Sequence, residues 1–228
     1  MECQGFDRSL VRFLGQLKRN NDRAWFHRNK DRYEQEVREP VLAFIRAITP
    51  RIEAISPFIL VSDSKVAGSM MRPYRDTRFS SSKEPYKTNV GVHFRHELGD
   101  DAHAPGLWLH IEPGEFWLAA GMWKPDAQAL ERVRRRIAEA PAEWLAARDE
   151  KRFRARWEIV GDTLKRPPRG FAPTHPLIDD IKRKDFLGFR DLGVAELYRP
   201  DVVERVADHY AAARPLMAFL CRALDLRF

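Results

Sequence analysis

Apolar positions over the first fifty-odd residues recur at helical spacing. Leu10, Val11, Phe13, Leu14 and Leu17 share one side of a helix that Asp7 can cap; Asn20-Asn21-Asp22 stops it and caps the next. Trp25, Phe26 and Tyr33 fall near one face, which assigns Trp25 to a core stripe. Val41, Leu42, Phe44, Ile45 and Ile48 continue the stripe after Pro40, which starts or kinks that segment.

From about Ser69 the period changes to two. Val90, Val92 and Phe94 alternate with Asn89, Gly91, His93 and Arg95, the pattern of a half-buried strand. Leu107, Leu109 and Ile111 alternate with Trp108, His110 and Glu112, and EFWLAAGMW reads as a third strand. The six apolar residues of the first two strands should be buried on one side of one sheet. Between the last two strands, Glu112-Pro113-Gly114-Glu115 puts Pro and Gly where a type II turn wants them, so the connection is tight and antiparallel.

Asp126 then caps a helix through about Ala138, striped by Leu130, Val133 and Ile137, with Arg132, Arg134, Arg135 and Arg136 read as its solvated face. Pro141 opens a second, short helix. Arg152 to Phe171 reads as loop or a weak strand pair, because RPPRG interrupts regular structure. A short helix is expected around Ile178 to Lys184, and the chain ends on one amphipathic helix, or two broken at Pro215. Helices, a block of strands, then helices again describe an α+β fold: a mostly antiparallel sheet covered by N-terminal and C-terminal helices. Regular strand-helix alternation and a glycine-rich phosphate fingerprint are missing, which argues against a doubly wound nucleotide-binding fold.

With 228 residues, 44% hydrophobic and 32% charged, the expectation is a single domain over 1–228. No apolar run approaches the roughly 18 residues that span a bilayer, and MECQGFDRSL lacks a signal-peptide layout, so the expected location is cytoplasmic, with no membrane partner. Cys3 and Cys221 have neither metal nor redox spacing and read as ordinary thiols.

The net charge of +7 invites a nucleic-acid reading, although 30 of the 40 basic residues are arginine beside many alanines, a bias that coding composition alone can produce. Clustering is more telling, and it occurs at Arg72 to Lys87, Lys151 to Arg169 and Lys182 to Arg190. RPYRDTRFSSSKEPYKTN, Arg72 to Asn89, opposes five basic side chains with only Asp76 and Glu84.

The blocks NNDRAWFHRNKDRYE, YRDTRFSSSKEPYKTN, LHIEPGEFWLAAGMWKP, KRPPRGF and HPLIDDIKRKDF resemble, in order and over nearly the whole chain, the bacterial domain-of-unknown-function family twenty-four sixty-one. That resemblance implies a single full-length domain and supplies no activity, substrate or cofactor.

The chemistry therefore rests on the residues. Arg72, Arg75, Arg78, Lys83, Tyr86, Lys87 and Asn89 form the candidate anion site, since arginine forks bind carboxylate or phosphate through charge-assisted bonds. Serine hydroxyls and backbone amides of the loop add neutral donors. In the competing reading Asp76 and Glu84 pair locally with Arg75, Arg78 or Lys83 and the segment is a rigid connector. His110 and Glu112, two apart on one strand face, are the candidate catalytic pair: a carboxylate can set an imidazole tautomer for proton transfer. Glu115 and Trp117 share a neighbouring row. No HExxH or cysteine-rich spacing supports a metal site.

Two function classes follow. One is a small-molecule enzyme or sensor holding a phosphorylated or carboxylated ligand; the alternative is a nucleic-acid-binding module in which Trp108, Trp117 or Tyr86 stack on bases. The pattern specifies neither a cofactor nor an oligomeric state.

Overall fold

A computed structural model describes residues 5–76, 78, 83–98 and 104–228. Helices α1 (Arg8–Arg19) and α2 (Arg23–Arg28) begin at aspartate caps. Asp7 accepts from the Ser9 amide at 2.7 Å and Asp22 from the Trp25 amide at 2.8 Å. A short α3 (Lys30–Arg32) widens through one π-helical stretch (Tyr33–Arg38) into α4 (Glu39–Ile55), and Pro40, which has no N–H to donate, falls just after the π-helical stretch.

The sheet has six antiparallel strands in the order β1-β2-β3-β4-β6-β5: β1 (Ile59–Leu60), β2 (Val90–His96), β3 (Gly106–Glu112), β4 (Glu115–Met122), β5 (Glu158–Val160) and β6 (Phe186–Asp191). Around it lie α5 (Ala127–Glu139), α6 (Pro141–Arg148), α7 (Lys151–Arg156), α8 (Ile178–Ile181), α9 (Val194–Leu197), α10 (Val202–Ala212) and α11 (Arg214–Ala223). The fold is α+β.

Val90, Val92, Phe94, Leu107, Leu109 and Ile111 are all buried, in one continuous apolar cluster with Leu10, Phe13 and Leu14 of α1, Phe44 and Ile48 of α4 and Tyr210 and Phe219 near the C-terminus. The N- and C-terminal helices thus cover one sheet face, as expected. The fully buried Tyr210 hydroxyl donates to the Trp108 carbonyl at 2.9 Å, pinning this helical layer to the middle of β3.

Three expectations are corrected. Arg152 to Phe171, read as loop or a weak strand pair, does supply the short strand β5, but it opens as helix α7. It has one inward residue, Phe153, and a cap in which the Glu150 carboxylate accepts from the Phe153 amide at 2.7 Å, so no stripe marks it. The helix at Ile178 stops at Ile181, and the unassigned Phe186–Asp191 forms β6, inserted between β4 and β5. Arg134, read as solvated, is 7% exposed and donates to the Arg183 carbonyl at 2.9 Å.

Cys221 is fully buried in α11, and burial pushes its thiol up to about 12; Cys3 lies outside the described residues. No helix among the described residues is long and apolar enough to cross a membrane.

Candidate functional site

The basic stretch forms the two arms of a hairpin that prolongs β2 and its edge. Met71 N–H donates to the Gly91 carbonyl at 2.9 Å, Lys87 N–H to Pro73 at 2.7 Å and Arg75 N–H to Pro85 at 2.9 Å. Tyr74 and Tyr86 therefore face each other as a non-hydrogen-bonded pair, and the N–H and C=O of Tyr86 point away from Tyr74. Asn21, between α1 and α2, takes both: its Oδ1 accepts from Tyr86 N at 3.1 Å and its Nδ2 donates to Tyr86 O at 3.0 Å. One side-chain amide thus stands in for the next strand.

The expected anion-site residues divide. Tyr86 is 6% exposed and stacks on Phe26 at 4.0 Å and 18°, so its ring belongs to the core. Arg78 is turned back onto Asp76, with Nε 3.0 Å from Oδ1 and Nη2 2.7 Å from Oδ2, and that bidentate bond draws the Asp76 carboxyl down to about 2. Arg75 faces Glu84 at 3.6 Å, and Lys83 is exposed. These local pairs are the ones the connector reading named. Arg72 and Lys87 are different. Lys87 is half-buried and has no hydrogen-bonding or ion-pair partner for its ammonium among the described residues. Burial, then the nearby charges of Arg72 and Arg75, pull its pKa below the usual lysine range. The serine hydroxyls invoked for this loop, at residues 80–82, lie outside the described residues.

The sheet face away from the helices is not a plain solvated surface. Register sets His93 directly opposite Trp108, and His110 opposite Trp117. Both pairs stack nearly parallel, at 4.6 Å and 9° and at 4.4 Å and 6°. Glycine makes room for this: a Cβ on Gly106 would lie 2.5 Å from His93 Nε2, and one on Gly91 2.9 Å from Met71 Sδ. Beyond the histidines runs an apolar groove of about 440 Å³ lined by Met71, Trp108, Trp117, Ala119, Trp123, Leu187 and Phe189. Trp123 is 50% exposed there.

At one end of the face lies a polar line. Asn89 Nδ2 is 3.3 Å from His110 Nδ1, and His110 Nε2 is 3.4 Å from Glu112 Oε2. Glu112 and Glu115 are opposed across the turn, where Gly114 adopts φ 94°, and Lys18 of α1 reaches Glu112 Oε1 at 3.6 Å. Burial lowers the His110 pKa and the carboxylates of Glu112 and Glu115 oppose that shift, so the imidazole is neutral at pH 7. Asn89 thus lies against one ring nitrogen and Glu112 against the other, which places a carboxylate where it can exchange a proton with the imidazole. His93, pulled down to about 4 by burial and Arg95, is neutral as well. His110, Glu112 and Glu115 also bring three ligand-type atoms within 4.8 Å of one another, a grouping that motif spacing did not suggest.

A family model described as a conserved hypothetical protein, DUF2461, matches residues 9–219 of the 228. The chain belongs to that family. Comparison with curated proteins and with solved structures finds no match. The DUF2461 match takes in the Asn21 clamp, the basic hairpin and the whole open face of the sheet. Within this DUF2461 chain, the sequence reading missed Asn21 as a positioning residue and Met71, Trp123, Leu187 and Phe189 as groove walls. The doubled Asn20-Asn21 was a signal for the first; the walls Leu187 and Phe189 had none, because β6 joins β4 from far along the chain.

Proposed function

We propose that this protein binds a small anionic molecule, a carboxylate or phosphate with an apolar body, on the open face of its sheet. The observation that carries the reading is Lys87: a half-buried ammonium pressed by Arg72 and Arg75, with no carboxylate set against it among the described residues. A cation left in that state favours an anion, which relieves both the repulsion and the desolvation. Asn89, two residues on, leads to His110 and Glu112, and the Trp117 on which His110 stacks is a wall of the apolar groove. The anionic group then meets Lys87 and Arg72, the body lies along the groove, and His110 and Glu112 stand between as its polar, reactive part.

The nucleic-acid alternative needs one continuous basic stripe. The register argues against it. Lys151–Arg156 lies on the helical side of the sheet, where Phe153 packs toward Gly188 of β6. Glu112, Glu115, Asp191 and Glu158 lie along the strands between.

Binding to the native state alone stabilises by about 2.7 kcal/mol at one hundred times Kd. Inorganic phosphate should therefore raise the thermal unfolding midpoint beyond chloride at matched ionic strength. Lys87→Ala and Arg72→Ala should flatten that response while Arg135→Ala, on α5, should not. Equal responses in all three variants would overturn the reading. Tighter, salt-steep binding of mixed oligonucleotides, lost in the same variants, would favour nucleic acid instead.

A further inference from the structure

We propose that His110, Glu112 and Glu115 form a binding site for a divalent first-row metal ion such as Zn²⁺ or Mn²⁺. Three separate features point to a cation. The first is an unsatisfied nitrogen: His110 Nε2 is buried, makes no hydrogen bond, and yet is aimed at Glu112. Its 3.4 Å separation from Glu112 Oε2 is long for a hydrogen bond. It matches the spacing of two ligands on one tetrahedral ion, since bonds of about 2.0–2.1 Å set ligand atoms roughly 3.4 Å apart.

The second feature is repulsion. Glu112 and Glu115 are direct cross-strand partners, and like charges so opposed destabilise a hairpin unless something positive lies between them. Lys18 offsets this only in part: it touches one oxygen of Glu112, at 3.6 Å, from a side chain 59% exposed. The ligand atoms of His110, Glu112 and Glu115 already lie within 4.8 Å of one another.

The third is the support behind the imidazole. Metal-bound histidines usually give their other N–H to an oxygen, which fixes the ring. Asn89 stands at Nδ1, and rotation of its amide by half a turn presents Oδ1 in place of Nδ2. The Nδ1 proton is then accepted and the Nε2 lone pair is turned to the ion. Trp117, stacked 4.4 Å away, holds the ring plane. One imidazole and two carboxylates suit Zn²⁺ or Mn²⁺, and three protein ligands leave a position for water or for an oxygen of a bound anion.

The inference extends the proposed ligand site, and its test is independent of that reading because no anionic ligand is used. Chelator-stripped full-length protein is titrated calorimetrically with ZnCl₂ and with MnCl₂ in a phosphate-free buffer at pH 7. Wild type should take up one ion per chain, and Glu115→Gln and His110→Gln should weaken binding at least tenfold. Lys18→Ala should bind as tightly or tighter. Glu115 is exposed, so Glu115→Gln keeps the test valid if His110→Gln fails to fold, with circular dichroism as the check. In ¹⁵N spectra, the metal should move the His110 Nε2 resonance in wild type. Absence of binding at 1 mM of either ion, or wild-type affinity in Glu115→Gln, overturns the proposal.

Discussion

Removing the Asn21 side chain should loosen the basic hairpin from the body of the protein. The two hydrogen bonds from Asn21 to the Tyr86 backbone, at 3.0 and 3.1 Å, satisfy a peptide N–H and C=O that the Tyr74–Tyr86 pairing leaves pointing outward. Each such bond contributes about 1 kcal/mol net, and a backbone group left without a partner costs about 1–3 kcal/mol. Tyr86 is only 6% exposed, so water replaces Asn21 poorly. Asn21→Ala should therefore lose about 2–3 kcal/mol in urea unfolding. In a domain of this size that corresponds to roughly 4–12 °C in Tm.

Asn21→Asp keeps an acceptor for Tyr86 N–H but sets a carboxylate against the Tyr86 carbonyl, and should lose no less than half as much. Because the clamp also holds the strand that carries Lys87, Asn21→Ala should blunt the phosphate-dependent rise in Tm and speed hydrogen exchange at the Tyr86 amide. A loss below about 0.5 kcal/mol with unchanged exchange at Tyr86 would show that the clamp does not hold the hairpin.

Acidification should destabilise the fold between about pH 6.5 and 4. His93 and His209 are both held near 4 by burial, with Arg95 beside the first and Arg156, Arg190 and Arg205 beside the second, so the unfolded chain takes up their protons first as the pH falls. The full effect is up to about 3 kcal/mol apiece, taken from about 1.36 kcal/mol per pKa unit. His93→Gln should flatten the slope of urea stability over that window, and an unchanged slope would refute the assignment. Gly106→Ala should cost about 1–3 kcal/mol by overpacking, since its Cβ would meet His93 Nε2 at 2.5 Å and the Phe94 carbonyl at 3.2 Å. It should also quench the His93–Trp108 stack, seen as a change in near-ultraviolet circular dichroism; a folded variant with the wild-type spectrum and stability would refute it. Phe26→Ala removes the ring under Tyr86 and should cost about 3–5 kcal/mol by calorimetry.

Sequence periodicity sorted β2, β3 and β4 into a buried and an open face because alternation requires only that successive side chains point opposite ways. Which residues meet on the open face is a matter of register, and register is legible only where a turn fixes it. The two-residue turn at Pro113-Gly114 sets Glu112 opposite Glu115 and hence His110 opposite Trp117, so that stack and the opposed carboxylates were within reach of the sequence. His93 against Trp108 was not, since a longer connection joins β2 to β3.

Distance along the chain draws the same line through the basic hairpin. Asp76 and Arg78 are two residues apart, and their pairing was anticipated as one local possibility. Asn21 and Tyr86 are 65 apart, so a doublet that reads as a helix stop becomes a strand clamp only when Phe26 of α2 packs on Tyr86. The exceptional state of Lys87 depends on more still. Its partial burial and, among the described residues, its lack of a carboxylate neighbour are set by packing, and charge counting along eighteen residues weighs Lys87 and Arg78 equally. The fold then distinguishes them, pairing Arg78 with Asp76 and leaving Lys87 half-buried with no ion-pair partner among the described residues.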